Sequence, residues 1–239
     1  MSAKLDILRK YSACDVSDAL VKLQKPGANE IKNGGFLADL VPYAPQPPLQ
    51  GSLSEQPKII APASTLQLVS KNAPADVFPS EDDPAAIPKG KHWVDLSEKG
   101  TVLVIDQPLE QHCAAVGGIM AARMKILGVE GLVVSGRVRD LAELRESGLP
   151  VWARARSTVG TGAEAKVRAR NVPISIHGVN IKPGDIIFCD PLEGIVSIPE
   201  ELLDDVLKIM PGLVDADDKV KEDVYSGVSV FEAFKKHRT

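Results

Sequence analysis

The chain has 239 residues, enough for one large domain or two small ones and for a substantial core. Hydrophobic content of 44% and charged content of 25% are ordinary for a globular protein, and a net charge of −4 with scattered Lys and Arg argues against a nucleic-acid face. No apolar run reaches the length of a membrane span, MSAKLDILRKYS lacks a signal-peptide core, and KKHRT is no retention or peroxisomal address.

In chain order, AKLDILRKYSACDVSDALVKL carries apolar residues at helical spacing, with Ser12, Asp15, Ser17 and Asp18 as N-cap candidates for a second helix running to about Leu23. Lys25 to Pro57, with PYAPQPPLQG at its centre, reads as loop, with a short strand near GGFLADLV. Residues 58–62 and 64–69 read as two strands. Residues 71–92 form a second Pro-rich, polar excursion, and a loop of that length is functional or disordered. TVLVID at 101–106 reads as a buried strand, 117–127 as a helix, 131–135 as a buried strand, and 140–147 as a short helix closed by Gly148 and Pro150. PVWARAR, VPISIHGVNI, DIIFCD and GIVSIP follow as short strands separated by turn signals such as KPGD. PEELLDDVLKIM reads as a helix with Pro199 at its first position, and the tail from Val214 as helical with a break at Gly227. The mixture predicts an α/β or α+β class, in one domain over 1–239 with a helical C-terminal extension from about 213. That extension packs on itself or on a neighbour. Cys14, Cys113 and Cys189 are far apart and odd in number, which predicts three reduced, mostly buried thiols of an intracellular, cytoplasmic protein.

The stretch GGIMAARMKILGVEGLVVSGRVRD, from Gly117 to Asp140, concentrates the chemistry. Gly117 and Gly118 open a helix, whose first-turn N–H groups and positive dipole end suit an anion; a plain tight turn is the alternative. The dinucleotide pattern GxGxxG is absent, and GTGAEAK at 160–166 fails the P-loop spacing. Arg139 and Asp140 end a buried strand, where an arginine can fork onto a carboxylate and an aspartate can hold a hard cation. The competing structural reading is a capping box, with Asp140 as N-cap and Glu143 reaching back. His92, His112, His177 and His237 have no metal-ligand spacing, and His112 is the nearest to the glycine pair. Acidic residues at 81–83 and 215–218 read as solvated faces or caps, and Trp93 and Trp152 as core or interface.

CDVSDAL, the 117–143 stretch, PVWARARSTVGTG and PGDIIFCDPLEGIVSIP together resemble the RraA-like family over about residues 10–235. Its specific part is Gly118, twenty intervening residues, Arg139-Asp140, two residues and Glu143. That family contains metal-dependent 4-hydroxy-4-methyl-2-oxoglutarate aldolases and regulators of ribonuclease activity. The resemblance implies a layered β/β/α core of the swivelling type with flanking N- and C-terminal helices. It implies substrate binding at Gly117, Gly118, Ile119, Met120 and Arg139, with Mg²⁺ or Mn²⁺ at Asp140, largely through waters. Arg139, Asp140 and Glu143 would carry catalysis, Glu143 by holding one of those waters.

The implied reaction is metal-dependent cleavage of a 4-hydroxy-2-oxo acid, or decarboxylation of oxaloacetate, to pyruvate. The sequence names no residue as the base. The resemblance also implies a homotrimer or hexamer with the site near a subunit interface. One departure stands out: many bacterial aldolases of the family carry an acidic residue where Gly118 stands. The rival expectation is therefore a non-catalytic regulator that binds a protein partner such as a ribonuclease.

Overall fold

The computed structural model describes residues 2–25, 32–44 and 57–238. Helix α1 (Ser2–Leu8) leads into α2 (Ala13–Leu23), and Ser12 is the cap that the chain selects. Its hydroxyl accepts the Asp15 N–H at 3.1 Å while the Asp15 carboxylate accepts the Ser12 N–H at 2.8 Å, a reciprocal capping box. Much of the predicted loop from Lys25 to Pro57 lies outside the described residues. The strand expected near GGFLADLV is shifted to its C-terminal end as β1 (Val41–Ala44), and Phe36 makes only an isolated bridge to Val196.

The two strands expected around Pro62 are one, β2 (Ile59–Ser70). It tolerates a proline because it changes partners there. Ile59–Pro62 pair antiparallel with β9 (Ile186–Asp190), whereas Ala63–Gln67 pair parallel with β3 (Val102–Asp106). From β3 the sheet continues through β4 (Gly131–Val138) and β5 (Val151–Arg156), all parallel, to β1 at one edge. Beyond β9 lies β10 (Gly194–Ile198), and β6 (Ala165–Arg170) pairs antiparallel with the far half of β2. Two crossover helices, α3 (Gly118–Leu127) and α4 (Leu141–Glu146), join β3 to β4 and β4 to β5. The C-terminal ends of three parallel strands therefore share one edge, where α/β folds place ligands.

Three apolar clusters hold these layers. Ala121, Met124 and Leu144 seat α3 and α4 on Leu132, Val134 and Val151. On the opposite face, Val104, Val133 and Trp152 meet the hairpin of β7 (Ile174–Ile176) and β8 (Val179–Ile181), and also Ile187 and Ile195. Strands of one sheet can share that cluster only if the sheet curls around it. This arrangement of α/β layers agrees with the expected fold class. The third cluster packs α1, α2 and α5 (Leu203–Tyr225) on Ile186, Phe188 and Val196.

Several boundaries differ from expectation. Pro199 does not start an α-helix; it precedes a 3-10 turn at Glu200–Leu202, and α5 begins at Leu203. That helix then runs through Pro211 to Tyr225 instead of stopping near Met210. Proline removes one backbone bond there, but Leu203, Val206, Met210 and Val220 keep one face buried, and packing outweighs the missing bond. Gly227 makes the expected break at φ +96, and α6 (Val230–His237) follows. Strand β6 was not anticipated, although AKVRAR alternates apolar residues with cations at the period of a half-buried strand; its apolar positions are only Ala165, Val167 and Ala169. All three cysteines are free, Cys113 and Cys189 buried and Cys14 exposed. Among the described residues no helix is long and apolar enough to cross a membrane.

Candidate active site

The segment between β3 and α3 is laid along the end of β4 by a bracket of polar groups. Gln107 is buried; its Nε2 donates to Cys113 O at 2.8 Å and its Oε1 accepts the Arg137 N–H at 2.9 Å. A Cβ on Gly136 would overlap that amide, so this strand position must be glycine. Ala115 N–H then donates to Arg137 O and Arg139 N–H to Val116 O, a short parallel pairing that delivers Gly117 beside Arg139. From the other side Thr161 Oγ1 donates to Ala114 O at 2.7 Å. Glu164 accepts the backbone N–H groups of His112 and Cys113, and these bonds hold its carboxyl below the usual carboxylate range.

Asp140 adopts a left-handed conformation, φ 56 and ψ 50, at the start of α4. The capping-box alternative fails, because the Asp140 side chain makes no cap bond to its own helix. Its Oδ2 turns to the neighbouring crossover, accepting the Gly118 N–H at 3.3 Å and lying 3.2 Å from Arg139 Nε. A non-glycine residue in that backbone region is strained, and here the constraint aims a carboxylate at the N-terminus of α3. Both glycines have a steric reason. A Cβ on Gly117 would overlap Asp140 Oδ2, and one on Gly118 would overlap both the Cβ and Oε2 of Glu143.

Gly117, Ile119, Met120, Arg139 and Asp140 line one cavity of about 350 Å³, a size typical of small-molecule sites. Gly118 and Glu143 do not line it. Gly118 is buried at the α3–α4 crossing, and Glu143 packs behind it with the rest of its side chain exposed. Its carboxylate thus begins where a side chain at position 118 would have stood. Of the histidines, His92 lines the cavity, beside Trp93, whereas His112 lies outside the lining with its side chain 80% exposed. Proximity in sequence to the glycine pair misled there, since the strand end turns His112 outward toward Glu164. Thr161 and Lys166 complete the wall and were not singled out in the sequence. The alternating cations of AKVRAR were the signal for Lys166.

Could this cavity hold a hard cation? Asp140 Oδ1 has no partner among the described residues, and the side chain is 35% exposed toward the cavity. No cluster of three or more His, Cys, Asp or Glu exists among the described residues. Asp140 is the one carboxylate among the described residues of the cavity lining, and a single carboxylate oxygen suits Mg²⁺ or Mn²⁺ retaining most of its waters better than Zn²⁺. The residues present fit the ion.

Comparison with known proteins follows the same lines. The family model described as RraA-like, Aldolase/RraA, matches residues 13–196. Protein DlpA of Legionella pneumophila is 29% identical over 181 residues, 76% of this chain, and the chain spans only 28% of DlpA. A Halalkalibacterium halodurans protein provisionally named 4-hydroxy-4-methyl-2-oxoglutarate aldolase is 30% identical over 170 residues, covering 71% of this chain and 73% of that protein. Among solved structures, Streptomyces coelicolor RraAS2, described as an unusual member of the RNase ES inhibitor RraA family, superposes with a TM-score of 0.67 at 22% identity. The match covers 95% of this chain and 96% of that one. An uncharacterised Pseudomonas syringae protein gives 0.71 at 22% identity, covering 98% and 97%. At such identity the two structures speak for the fold.

Proposed function

The chain belongs to the RraA-like family, and from that premise we propose that it is a carbon–carbon lyase acting on small 2-oxo acids to release pyruvate. The observation that carries the reading is the lock between two crossovers, in which Asp140 joins the Gly118 amide and Arg139 at the mouth of one cavity. In a plain fold-forming turn, neither Arg139 nor Asp140 would need to face a cavity.

Helix geometry leaves the amides of residues 118–120 without intrahelical acceptors. Asp140 takes the first, so the next two and the Arg139 guanidinium are the donors for a substrate carboxylate. A Mg²⁺ or Mn²⁺ ion, when bound at Asp140 Oδ1, would supply Lewis acidity at the 2-oxo oxygen. Arg139 adds positive charge where the enolate oxygen of pyruvate develops, and the helix amides orient the bond that breaks. In a 4-hydroxy-2-oxo acid the C3–C4 bond breaks and its electron pair passes to the pyruvate unit as an enolate. The hydroxyl proton passes to a water as C4 becomes a carbonyl, and C3 of the enolate takes a proton from solvent to give pyruvate. Oxaloacetate loses CO₂ to the same enolate without the transfer of a hydroxyl proton. Glu143 stands behind Gly118 and outside the cavity lining, in place of the acidic group that many bacterial aldolases carry at position 118.

Ile119 and Ile126, both more than 70% exposed and two turns apart on α3, support a contact with a second copy beside the cavity, as in a homotrimer or hexamer. The test is pyruvate release from oxaloacetate and from 4-hydroxy-4-methyl-2-oxoglutarate, with Mg²⁺ and with EDTA, after subtracting metal-only decarboxylation. Wild type should be metal-dependent and Asp140→Ala about 100-fold slower or worse. If wild type and Asp140→Ala both match the metal blank, the lyase reading fails and a non-catalytic, protein-binding role replaces it.

A further inference from the structure

The excursion at 71–92 lies across β6, and the cations of that strand pin it. Arg168 Nε donates to Val77 O at 2.7 Å and the Arg170 backbone N–H to Ala85 O at 2.9 Å, while the side chains of these two also anchor to Gln67 Oε1 at 2.6 Å and Glu98 Oε1 at 3.3 Å, outside the excursion. Lys166, at the next alternate position, donates to Ala73 O at 3.0 Å and sits 4.5 Å from the centre of the Phe78 ring. Of the three cations, only Lys166 lines the cavity that holds Arg139 and Asp140.

Lys166 makes no ion pair among the described residues. Its ammonium has three donors, of which one goes to Ala73 O, and the Phe78 face stabilises the charge without consuming a carboxylate. The cavity wall thus sets Arg139 and Lys166 against one carboxylate, Asp140, which is itself bonded to Arg139 and Gly118. A monocarboxylate at the α3 amides and Arg139 would leave Lys166 without an anionic partner. A partly desolvated ammonium left that way is unfavourable, and a second carboxylate on the ligand removes the deficit.

We propose that Lys166, held in place by Ala73 and Phe78 of the excursion, is the specificity-determining residue that binds the distal carboxylate of a 2-oxo dicarboxylate. This rests on the reading of the cavity as a 2-oxo acid site but not on turnover. The excursion thereby sets the reach of the ammonium and, with it, the length of diacid accepted.

The test compares 2-oxoglutarate with 2-oxopentanoate, equal in chain length but lacking the second carboxylate, in excess Mg²⁺. Binding is read from Trp93 fluorescence, with Trp93→Phe to subtract the buried Trp152. Wild type should prefer the diacid about tenfold or more, the strength of one charge-assisted hydrogen bond. Lys166→Gln should remove that preference while leaving the 2-oxopentanoate dissociation constant unchanged, and Lys166→Arg should retain most of it. Three results overturn the assignment: no preference in wild type, a preference that survives Lys166→Gln, or equal weakening of both ligands, which would make Lys166 a mere strut for the excursion. A diacid preference without any metal-dependent pyruvate release sinks the lyase reading and leaves Lys166 standing. Pyruvate release without a Lys166-dependent preference does the reverse.

Discussion

The α3–α4 crossing and the α5–α6 hairpin are both helix pairs, yet they are held by opposite means. At the crossing, two glycines let a buried helix start touch Glu143 and Asp140, and a single added carbon at either position overlaps its neighbour. At the hairpin, charged side chains do the joining, Asp223 and His237 half-buried and the rest nearer the surface: Asp223 accepts from Lys236 at 3.0 Å and from His237 Nε2 at 2.8 Å, and Arg238 pairs with Asp217 at 2.7 Å. Only Ala233 of α6 is buried, and Phe231 stays 77% exposed. Close backbone approach is unforgiving because a Cβ cannot rotate away, whereas long charged side chains can re-pair or yield to water. The difference teaches where this chain should resist change.

The largest effect should come from Gly118→Ala. Its new Cβ meets the Cβ of Glu143, which is fixed to a helix, so α3 and α4 must move apart at a cost of about 1–3 kcal/mol in denaturant melts. Glu143→Ala should not rescue it, since that variant keeps the obstructing carbon. Full rescue would mean that the carboxylate tip alone was in the way. Gly117→Ala pushes only against the end of the Asp140 side chain and the Arg139 stem. We expect little loss of stability there but about a 10–100-fold fall in kcat/KM for pyruvate release, and an unchanged rate would detach the Asp140–Gly118 lock from function.

Asp106, at the end of β3, offers a smaller and pH-dependent change. Burial pushes its carboxyl above the usual range, against a weaker opposing bond from Gln67. The neutral form is therefore favoured in the fold, and the penalty appears as pH rises through the raised pKa. Asp106→Asn should melt above wild type at pH 7–8 and converge with it near pH 4; a constant difference across that range would exclude charge as the cause.

The smallest effects belong to the hairpin. Lys236 first, then His237, hold Asp223 below the usual carboxylate range, so its contribution is present above the ordinary aspartate pKa of about 3.9 and fades as pH falls below it. Amide exchange in α6 should therefore quicken as pH falls below about 4, after correction for intrinsic rates. Arg238→Ala should cost less than about 1 kcal/mol, less still in high salt, and a larger loss would show that its contact with the Phe234 ring matters more than its charge.

Local chemistry made much of the fold legible. The capping signal at Ser12, the apolar runs of β3 and β4, the helix opened by two glycines and the break at Gly227 are all decided within a few residues, by hydrogen-bond supply, side-chain period or the freedom of glycine. The resemblance to the RraA-like family depended on the same stretch, because Gly118, Arg139, Asp140 and Glu143 are spaced by one complete helix–strand crossover.

Tertiary structure decided the rest. Pro211 sits inside a helix because one buried face compensates one missing bond. Strand β6 carries the alternation of a strand in its own residues, but its pairing with the far half of β2 was set by tertiary structure. His92 and Lys166 join the cavity from outside the 117–140 stretch, one on each side of it in the chain, and His112 leaves it despite standing five residues from Gly117. Asp140 could have capped its own helix; the left-handed backbone and the neighbouring Gly118 amide turned it into a cavity-facing carboxylate. Sequence by itself determined which residues could make helices, strands and an anion-binding helix start, since those depend on neighbours along the chain. Which of them face one another depends on long-range pairing and on clearances of a single carbon atom.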